Sequence, residues 1–263
     1  MVQIFSDYHM HPQGHRVQPY SQELLQPWIE QARKRGLIDI AFTDHDRYRE
    51  GVDFKEIDKL RGKNPDVQVR AGIELDNDPV TSDAGRAWVE KNWDRLDFVL
   101  GSIHYLDGKN KMFDAADQAG QFQESSVESV YDDYLEELTH LISLGHIDCI
   151  SHLDLIKIHG FRPSLPVLSF FQPVLELIKK SNLAMEINTA GWRKPVAEQY
   201  PEKALIKAAI DLGIPLTLSS DAHSYAQLGE DYERLAPILE ELNIHEIAIF
   251  NRHQRTLKPL PKK

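Results

Sequence analysis

Short, nearly continuous apolar runs alternate with longer amphipathic stretches along this chain, and this alternation restricts its fold more than any other feature. Continuous apolar runs are typical of parallel strands that helices cover on both faces. The runs predict strands over 3–9, 37–43, 67–74, 97–104, 148–153, 183–188 and 215–220, with one further candidate at 246–250. The amphipathic stretches predict helices at about 21–35, 82–93, 126–144, 165–181, 201–212 and 231–242.

Seven or eight strand-then-helix units favour a TIM-like (β/α) barrel over an open sheet, because no glycine-rich phosphate loop follows the first strand. We expect one α/β domain over 1–263, since no Ser/Gly-rich linker, low-complexity tract or close internal repeat interrupts the alternation. The polar, aperiodic stretch at 105–124 is long for a connection and is more typical of a functional lid. The C-terminal RTLKPLPKK is interpreted as a solvated tail.

The composition limits the chemistry of any site. A single cysteine, Cys149, excludes an internal disulfide and a cysteine-based zinc cluster, so a metal ion must be held by histidines and carboxylates. The formal net charge of −11 disfavours binding to nucleic acid and favours a small substrate. No apolar run approaches the roughly 18 residues of a membrane span and no secretory signal is visible, so we expect a cytoplasmic protein without a membrane partner.

Histidines and acids collect where the predicted strands end, which is where (β/α) barrels carry their active sites. One histidine in such a place is most often a hydrogen-bonded, half-buried residue. Here six of the twelve histidines lie at strand ends, a pattern that predicts a metal site. The strand-end residues are His9, His11, His45, Glu74, His104, His152, Glu186, Asp221 and His223. His15, in the loop after the first strand, is a further candidate ligand.

These donors outnumber the four or so ligands of a single zinc ion, so two or three ions are expected. Clustered ions suit in-line attack on phosphorus or amide hydrolysis. Arg162 and Arg193 lie in loops that follow ligand-bearing strands, where a planar guanidinium matches the oxygens of a phosphate group. The other histidines are interpreted as bystanders, except that the role of His159 stays open.

The ordered motifs DYHMH, TDHD, GIELD, GSIHYLDG, SHLDLIK, EINTAGWRKP and SSDAH resemble the polymerase and histidinol phosphatase (PHP) superfamily over about residues 5–230. The resemblance is greatest to its stand-alone L-histidinol-phosphate phosphatases, and it implies a distorted (β/α)7 barrel with a trinuclear centre of zinc, manganese or iron. The first ion would be held by His9, His11, Glu74 and Asp221, the second by Glu74, His104 and His152, and the third by His15, His45 and His223. Glu186 is not a ligand in that pattern, so its role stays open.

The resemblance also implies a phosphomonoesterase that hydrolyses L-histidinol phosphate through in-line attack by a metal-bridging hydroxide. Its predicted catalytic residues are Arg162, Arg193, Asp221 and His223, and the two arginines bind the phosphate group. The general acid stays open among a metal-bound water, Asp44 and His223. Asp46 and Asp76 are candidates to receive the substrate ammonium at the mouth of the site.

Two alternatives remain at this stage. A PHP phosphatase or phosphodiesterase could act on nucleotides or other small phosphoesters. A different class of protein, a non-catalytic module stabilised by its metal ions, would carry the same ligands without the activity. The sequence does not determine the oligomeric state.

Overall fold

The computed structural model describes residues 2–106, 111–120, 122 and 125–262. Seven parallel strands form one sheet in the order of the sequence. They are β1 (Ser6–Asp7), β2 (Asp39–Phe42), β3 (Gln68–Asp76), β4 (Phe98–Ser102), β5 (Cys149–Ile150), β6 (Ala184–Asn188) and β7 (Leu216–Ser219). The amide of Tyr8 donates to the carbonyl of Leu218 at 3.1 Å and Met10 pairs with Ala222, so the sheet closes into the predicted barrel.

Helices surround the sheet, and their ends match local signals in the sequence. The Ser21 hydroxyl accepts from the amide of Leu24 where the first helix begins, and Gly36 ends that helix with a φ of 74° that favours glycine. The α-helices that lie wholly within the described part of the chain are α1 (Gln22–Arg35), α2 (Phe54–Lys63), α3 (Ser82–Asn92), α4 (Val127–Leu144), α5 (Val167–Lys180), α6 (Lys203–Asp211) and α7 (Tyr232–Glu241).

Helix α2 is absent from the sequence-based prediction. Its ten residues, FKEIDKLRGK, bury only Phe54, Ile57 and Leu60. An apolar set this small, next to many charged side chains, gives a weak helical period. The helix begins at Asp53, whose carboxylate accepts from the amide of Lys55.

A hairpin closes the barrel at the end where the strands begin. It consists of β8 (Glu246–Asn251) and β9 (Gln254–Pro259), which pair antiparallel. Phe250 enters the barrel interior, packs on Phe98 with ring centroids 4.8 Å apart, and donates its amide to the Tyr8 hydroxyl at 3.0 Å. Cys149 lies in the same interior cluster, fully buried.

The interpretation of the C-terminal segment as a solvated tail was wrong for 255–259, which belong to β9. Most side chains of β9 are exposed, so no apolar pattern marks this strand in the sequence. The ladder of backbone hydrogen bonds to β8 holds it instead, and Leu260 is buried just beyond it.

The stretch 105–124 is described only in part, because residues 107–110, 121, 123 and 124 lie outside the described residues. In its described part Phe113 is fully buried, and Phe122 stacks on Phe161 with ring centroids 5.1 Å apart. This part therefore packs on the barrel. Among the described residues, none of the helices combines the length and apolar character that a membrane crossing needs.

Candidate metal centre

The carboxyl ends of the strands bring the predicted ligands together. His9 and His11 follow β1, where the amide of His11 donates to the carbonyl of Ala222 beside β7 at 2.8 Å. The segment after β2 pairs with β3 at His45 and Glu74. The remaining cluster members follow β4, β5 and β7 and are His104, His152, Asp221 and His223.

Donor atoms of His9, His11 and Glu74 form one close group in this cluster, and Asp221 approaches its two histidines. Glu74 Oε2 lies 3.3 Å from His9 Nε2 and 3.5 Å from His11 Nε2. Asp221 Oδ1 lies 3.7 Å from His9 Nε2 and 3.2 Å from His11 Nε2. Donors bound to a tetrahedral zinc ion at about 2.0–2.2 Å would be separated by roughly 3.3–3.6 Å. His9 Nε2 and Glu74 Oε2 are also buried without a hydrogen-bond partner, so the residues fit a cation.

The other oxygen of Glu74 faces a second group of histidines. Glu74 Oε1 lies 3.4 Å from His152 Nε2 and 3.9 Å from His104 Nε2, and it accepts from the Ser102 hydroxyl. One carboxylate thus presents an oxygen to each of two sets of imidazole nitrogens. This is the arrangement by which a carboxylate bridges two metal ions.

The third predicted set, His15, His45 and His223, is assembled less tightly. Donor atoms of His11, His45 and His223 lie within 4.8 Å of one another. His45 Nδ1 is also 2.8 Å from Glu74 Oε2. His15 is exposed and stacks on His223 with ring centroids 4.5 Å apart, but it belongs to none of the close donor groups among the described residues.

Buried carboxylates behind the cluster orient its histidines. Glu186 accepts from His9 Nδ1 at 3.1 Å and from the amide of His152 at 2.7 Å. Asp76 accepts from His104 Nδ1 and pairs with Arg47. A carboxylate on one ring nitrogen turns the other nitrogen toward the metal position. Glu186 thus orients His9 and the backbone of His152, and Asp76 orients His104. The orienting role of Asp76 was missed in the sequence.

Burial and neighbouring charge divide the histidines into two types. Burial lowers the pKa of His223 to about 4, despite the opposing effect of Asp221, and burial lowers the pKa of His11 well below its usual range. Both rings are therefore neutral at pH 7, the form that binds metal. Burial opposes protonation of His9 as well, but the Glu186 and Glu74 carboxylates outweigh it and raise its pKa. The carboxylates thus require compensating positive charge, which a divalent cation would supply.

A cavity of about 300 Å³ opens above the cluster and contains one of the two predicted phosphate-binding arginines. Arg193 lines it, held by the carbonyl of Ser220 at 2.6 Å and by Asp231 at 3.3 Å. Arg162 is not among the lining residues; its guanidinium pairs with Glu198 and, at 2.8 Å, with Glu202. The structure therefore brings Arg193 to the site and leaves Arg162 outside it.

The candidate general acid Asp44 and the two acids proposed at the mouth, Asp46 and Asp76, are all buried. Asp44 is fully buried and accepts from the Tyr20 hydroxyl at 2.6 Å; burial raises its pKa to about 7. Asp46 is fully buried against Gly85, where a Cβ atom would collide with it, and burial raises its pKa to about 8. Asp76 is equally buried, so neither Asp46 nor Asp76 can receive a substrate ammonium at the mouth.

The chain is similar to proteins of one known family. The family model of the PHP domain matches residues 7–190. A Deinococcus radiodurans protein named "Probable histidinol-phosphatase" is 33% identical over 221 residues, covering 77% of this chain and 81% of the relative. The Bacillus subtilis "Histidinol-phosphatase" is 24% identical over 259 residues, covering 84% of this chain and 96% of the relative.

A solved structure shares the fold. The histidinol phosphate phosphatase of Lactococcus lactis, crystallised with zinc, L-histidinol and phosphate, superposes with a TM-score of 0.74 at 21% identity. The match covers 96% of this chain and 98% of the L. lactis chain.

Proposed function

The chain belongs to the PHP domain family, and from that premise we propose that it is a metal-dependent phosphomonoesterase that hydrolyses L-histidinol phosphate to L-histidinol and phosphate. The observation that carries the proposal is the position of Glu74, whose two oxygens face two sets of histidines beneath a cavity that Arg193 also lines. Relatives named histidinol-phosphatases support this substrate. We expect the enzyme in the cytoplasm, with a small phosphorylated molecule as its partner.

The proposed cofactor is a group of two or three divalent ions, with zinc, manganese and iron as candidates. Zinc is the ion named for the L. lactis protein. Bound divalent ions would supply Lewis-acid stabilisation of the phosphoryl oxygens and an activated hydroxide. The residues proposed to hold them are His9, His11, His15, His45, Glu74, His104, His152, Asp221 and His223.

Arg193 is the protein group proposed to position the phosphate of the substrate. Arg193 brings a guanidinium into the cavity, and its bonds to Ser220 and Asp231 fix it before substrate arrives. A preorganised cation of this kind stabilises the charge on phosphate oxygens without reorganisation during the reaction. His223 is neutral at pH 7, so we propose it as a ligand rather than as the proton donor. Asp44 is not one of the described residues that line the cavity, and its oxygens accept from the Tyr20 hydroxyl and the Gln13 amide, which argues against it as proton donor as well.

The test is a substrate panel on purified protein of known metal content. We expect two or three divalent ions per chain, and a kcat/KM for L-histidinol phosphate well above the values for nucleoside monophosphates and simple alkyl phosphates. Chelation should abolish phosphate release, and added metal should restore it. Higher kcat/KM on nucleotides would favour the nucleotide alternative. A metal-loaded protein inert to every ester would indicate a non-catalytic module, and full activity without metal would contradict the proposed mechanism.

A further inference from the structure

One carboxylate oxygen on the cavity wall has no hydrogen-bond partner among the described residues. Of these residues, the acids that line the cavity are Glu74, Asp221 and Asp114, and the first two face the histidine cluster. The oxygen is Asp114 Oδ1, which is buried. An ionised carboxylate oxygen removed from water without a donor is costly, so its position indicates a ligand that brings one.

The backbone next to Asp114 is fixed to the metal centre. The amide of Phe113 donates to the carbonyl of His104 at 2.9 Å, and His159 Nε2 donates to the carbonyl of Phe113 at 2.8 Å. The Phe113 ring is fully buried against the edge of Tyr134. These contacts keep Asp114 at a set place relative to the metal ligand His104. They also give His159 a positioning role.

The described lining combines three kinds of group. The histidine cluster, Arg193 and Lys194 suit phosphate oxygens. Met112, Leu155 and Ile158 supply apolar surface that suits an aromatic ring. Asp114 adds a negative charge outside the cluster. A phosphate monoester that also carries an ammonium group matches these three features.

We propose that Asp114 binds the ammonium group of the substrate and thereby selects amine-bearing phosphate esters over neutral ones. The inference rests on the proposed function, because it assumes hydrolysis of a phosphate ester at this centre. Asp114 is a specificity-determining residue in this scheme: it touches the substrate amine, while the histidine cluster and Arg193 act on the phosphate.

The test is a double-mutant cycle between enzyme and substrate. The enzyme forms are wild type and Asp114→Asn; the substrates are L-histidinol phosphate and the same ester without its amine. A charge-assisted hydrogen bond predicts that Asp114→Asn lowers kcat/KM for the amine-bearing ester by about 10- to 100-fold. The amine-free ester should lose almost nothing. Asp114→Glu, which keeps the charge, should retain part of the preference for the amine.

Matched controls separate recognition from structure. Asp117→Asn removes an exposed carboxylate from the same segment and should change neither substrate. Metal content and melting temperature should be equal in Asp114→Asn and wild type. Equal losses on both esters, or a loss of bound metal, would overturn the inference. If wild type does not hydrolyse L-histidinol phosphate, the proposed function fails by itself; the cycle then uses amine-bearing and amine-free forms of whichever ester is hydrolysed.

Discussion

Glu74 connects the two halves of the candidate centre, and the residues behind the ligands decide how well those halves are held. Glu186 touches no proposed metal position, yet it bonds the far nitrogen of His9 and the backbone of His152. One outer carboxylate therefore orients a ligand from each half. We therefore expect a change at Glu186 to lower metal affinity more than it lowers the stability of the fold.

Replacing Glu186 by Gln keeps the shape of the side chain and removes its charge. We expect metal affinity to fall about 10- to 100-fold, the usual cost of losing an outer partner. Competition with a chromophoric chelator measures this directly. The control is Glu176→Gln on the exposed face of α5, which should leave affinity unchanged. Equal affinities for wild type and Glu186→Gln would contradict the orienting role.

Substitution of Arg193 and Arg162 tests which of the two arginines binds the phosphate group. Arg193→Ala should raise KM and lower kcat/KM for phosphate esters by about 10- to 100-fold, because a charged hydrogen-bond donor leaves the cavity. Arg162→Ala should change these constants little, since Glu198 and Glu202 hold that side chain outside the cavity. Steady-state kinetics on L-histidinol phosphate decides between them. A larger effect for Arg162→Ala would restore the prediction made from sequence.

At the scale of elements, the β8–β9 hairpin depends on a histidine with two acceptors. His253 Nδ1 lies 2.8 Å from Asp148 and Nε2 lies 2.9 Å from the carbonyl of Trp93, on whose ring it stacks at 3.6 Å. A neutral imidazole donates one proton, so both bonds require the imidazolium. Burial lowers the pKa of His253, but the Asp148 carboxylate outweighs this and raises it above the ordinary value.

This raised pKa sets the direction of the pH dependence. The stabilisation of the folded protein by protonated His253 is complete below the unfolded pKa of about 6.5, and it is lost as the pH rises through the higher folded pKa. His253→Gln should therefore be destabilised most near pH 6, and the difference from wild type should shrink toward about pH 9. Thermal unfolding across this range measures it. A difference that grows with pH would show that His253 is neutral in the fold.

The strands and helices also show which parts of the structure can be predicted from the sequence and which cannot. The barrel strands and six helices follow from apolar periodicity, and the ligands follow from strand ends, because both depend on local pattern. Strand β9 has little apolar signal because backbone pairing holds it. Asp114 lies in a polar stretch without a period, and the partners of Arg162 are 36 and 40 residues away in the chain. Such choices depend on contacts that only the folded chain specifies.

For the barrel as one folded unit, we expect metal binding and folding to be coupled, because the candidate ligands belong to or follow six of its seven strands. An ion held only by the folded barrel stabilises it, by about 4 kcal/mol when free ion is a thousandfold above its Kd. For a domain of this size that corresponds to a shift in Tm of roughly 8–16 °C. Calorimetry with and without chelator checks this. Glu74→Gln should show a smaller shift, and identical Tm values for loaded and chelated wild type would contradict the coupling.

The buried position of Cys149 offers one more consequence. The chain has no other cysteine, its thiol is fully buried inside the barrel, and burial raises its pKa. A thiol reagent can therefore label the native protein only when the barrel opens, so the labelling rate reports how readily it opens. Removing the metal perturbs the carboxyl ends of the strands, and His253→Gln perturbs the hairpin at the opposite end. The perturbation that raises the labelling rate more identifies the end that opens more readily. The single thiol of Cys149 is thus a built-in chemical probe of barrel opening.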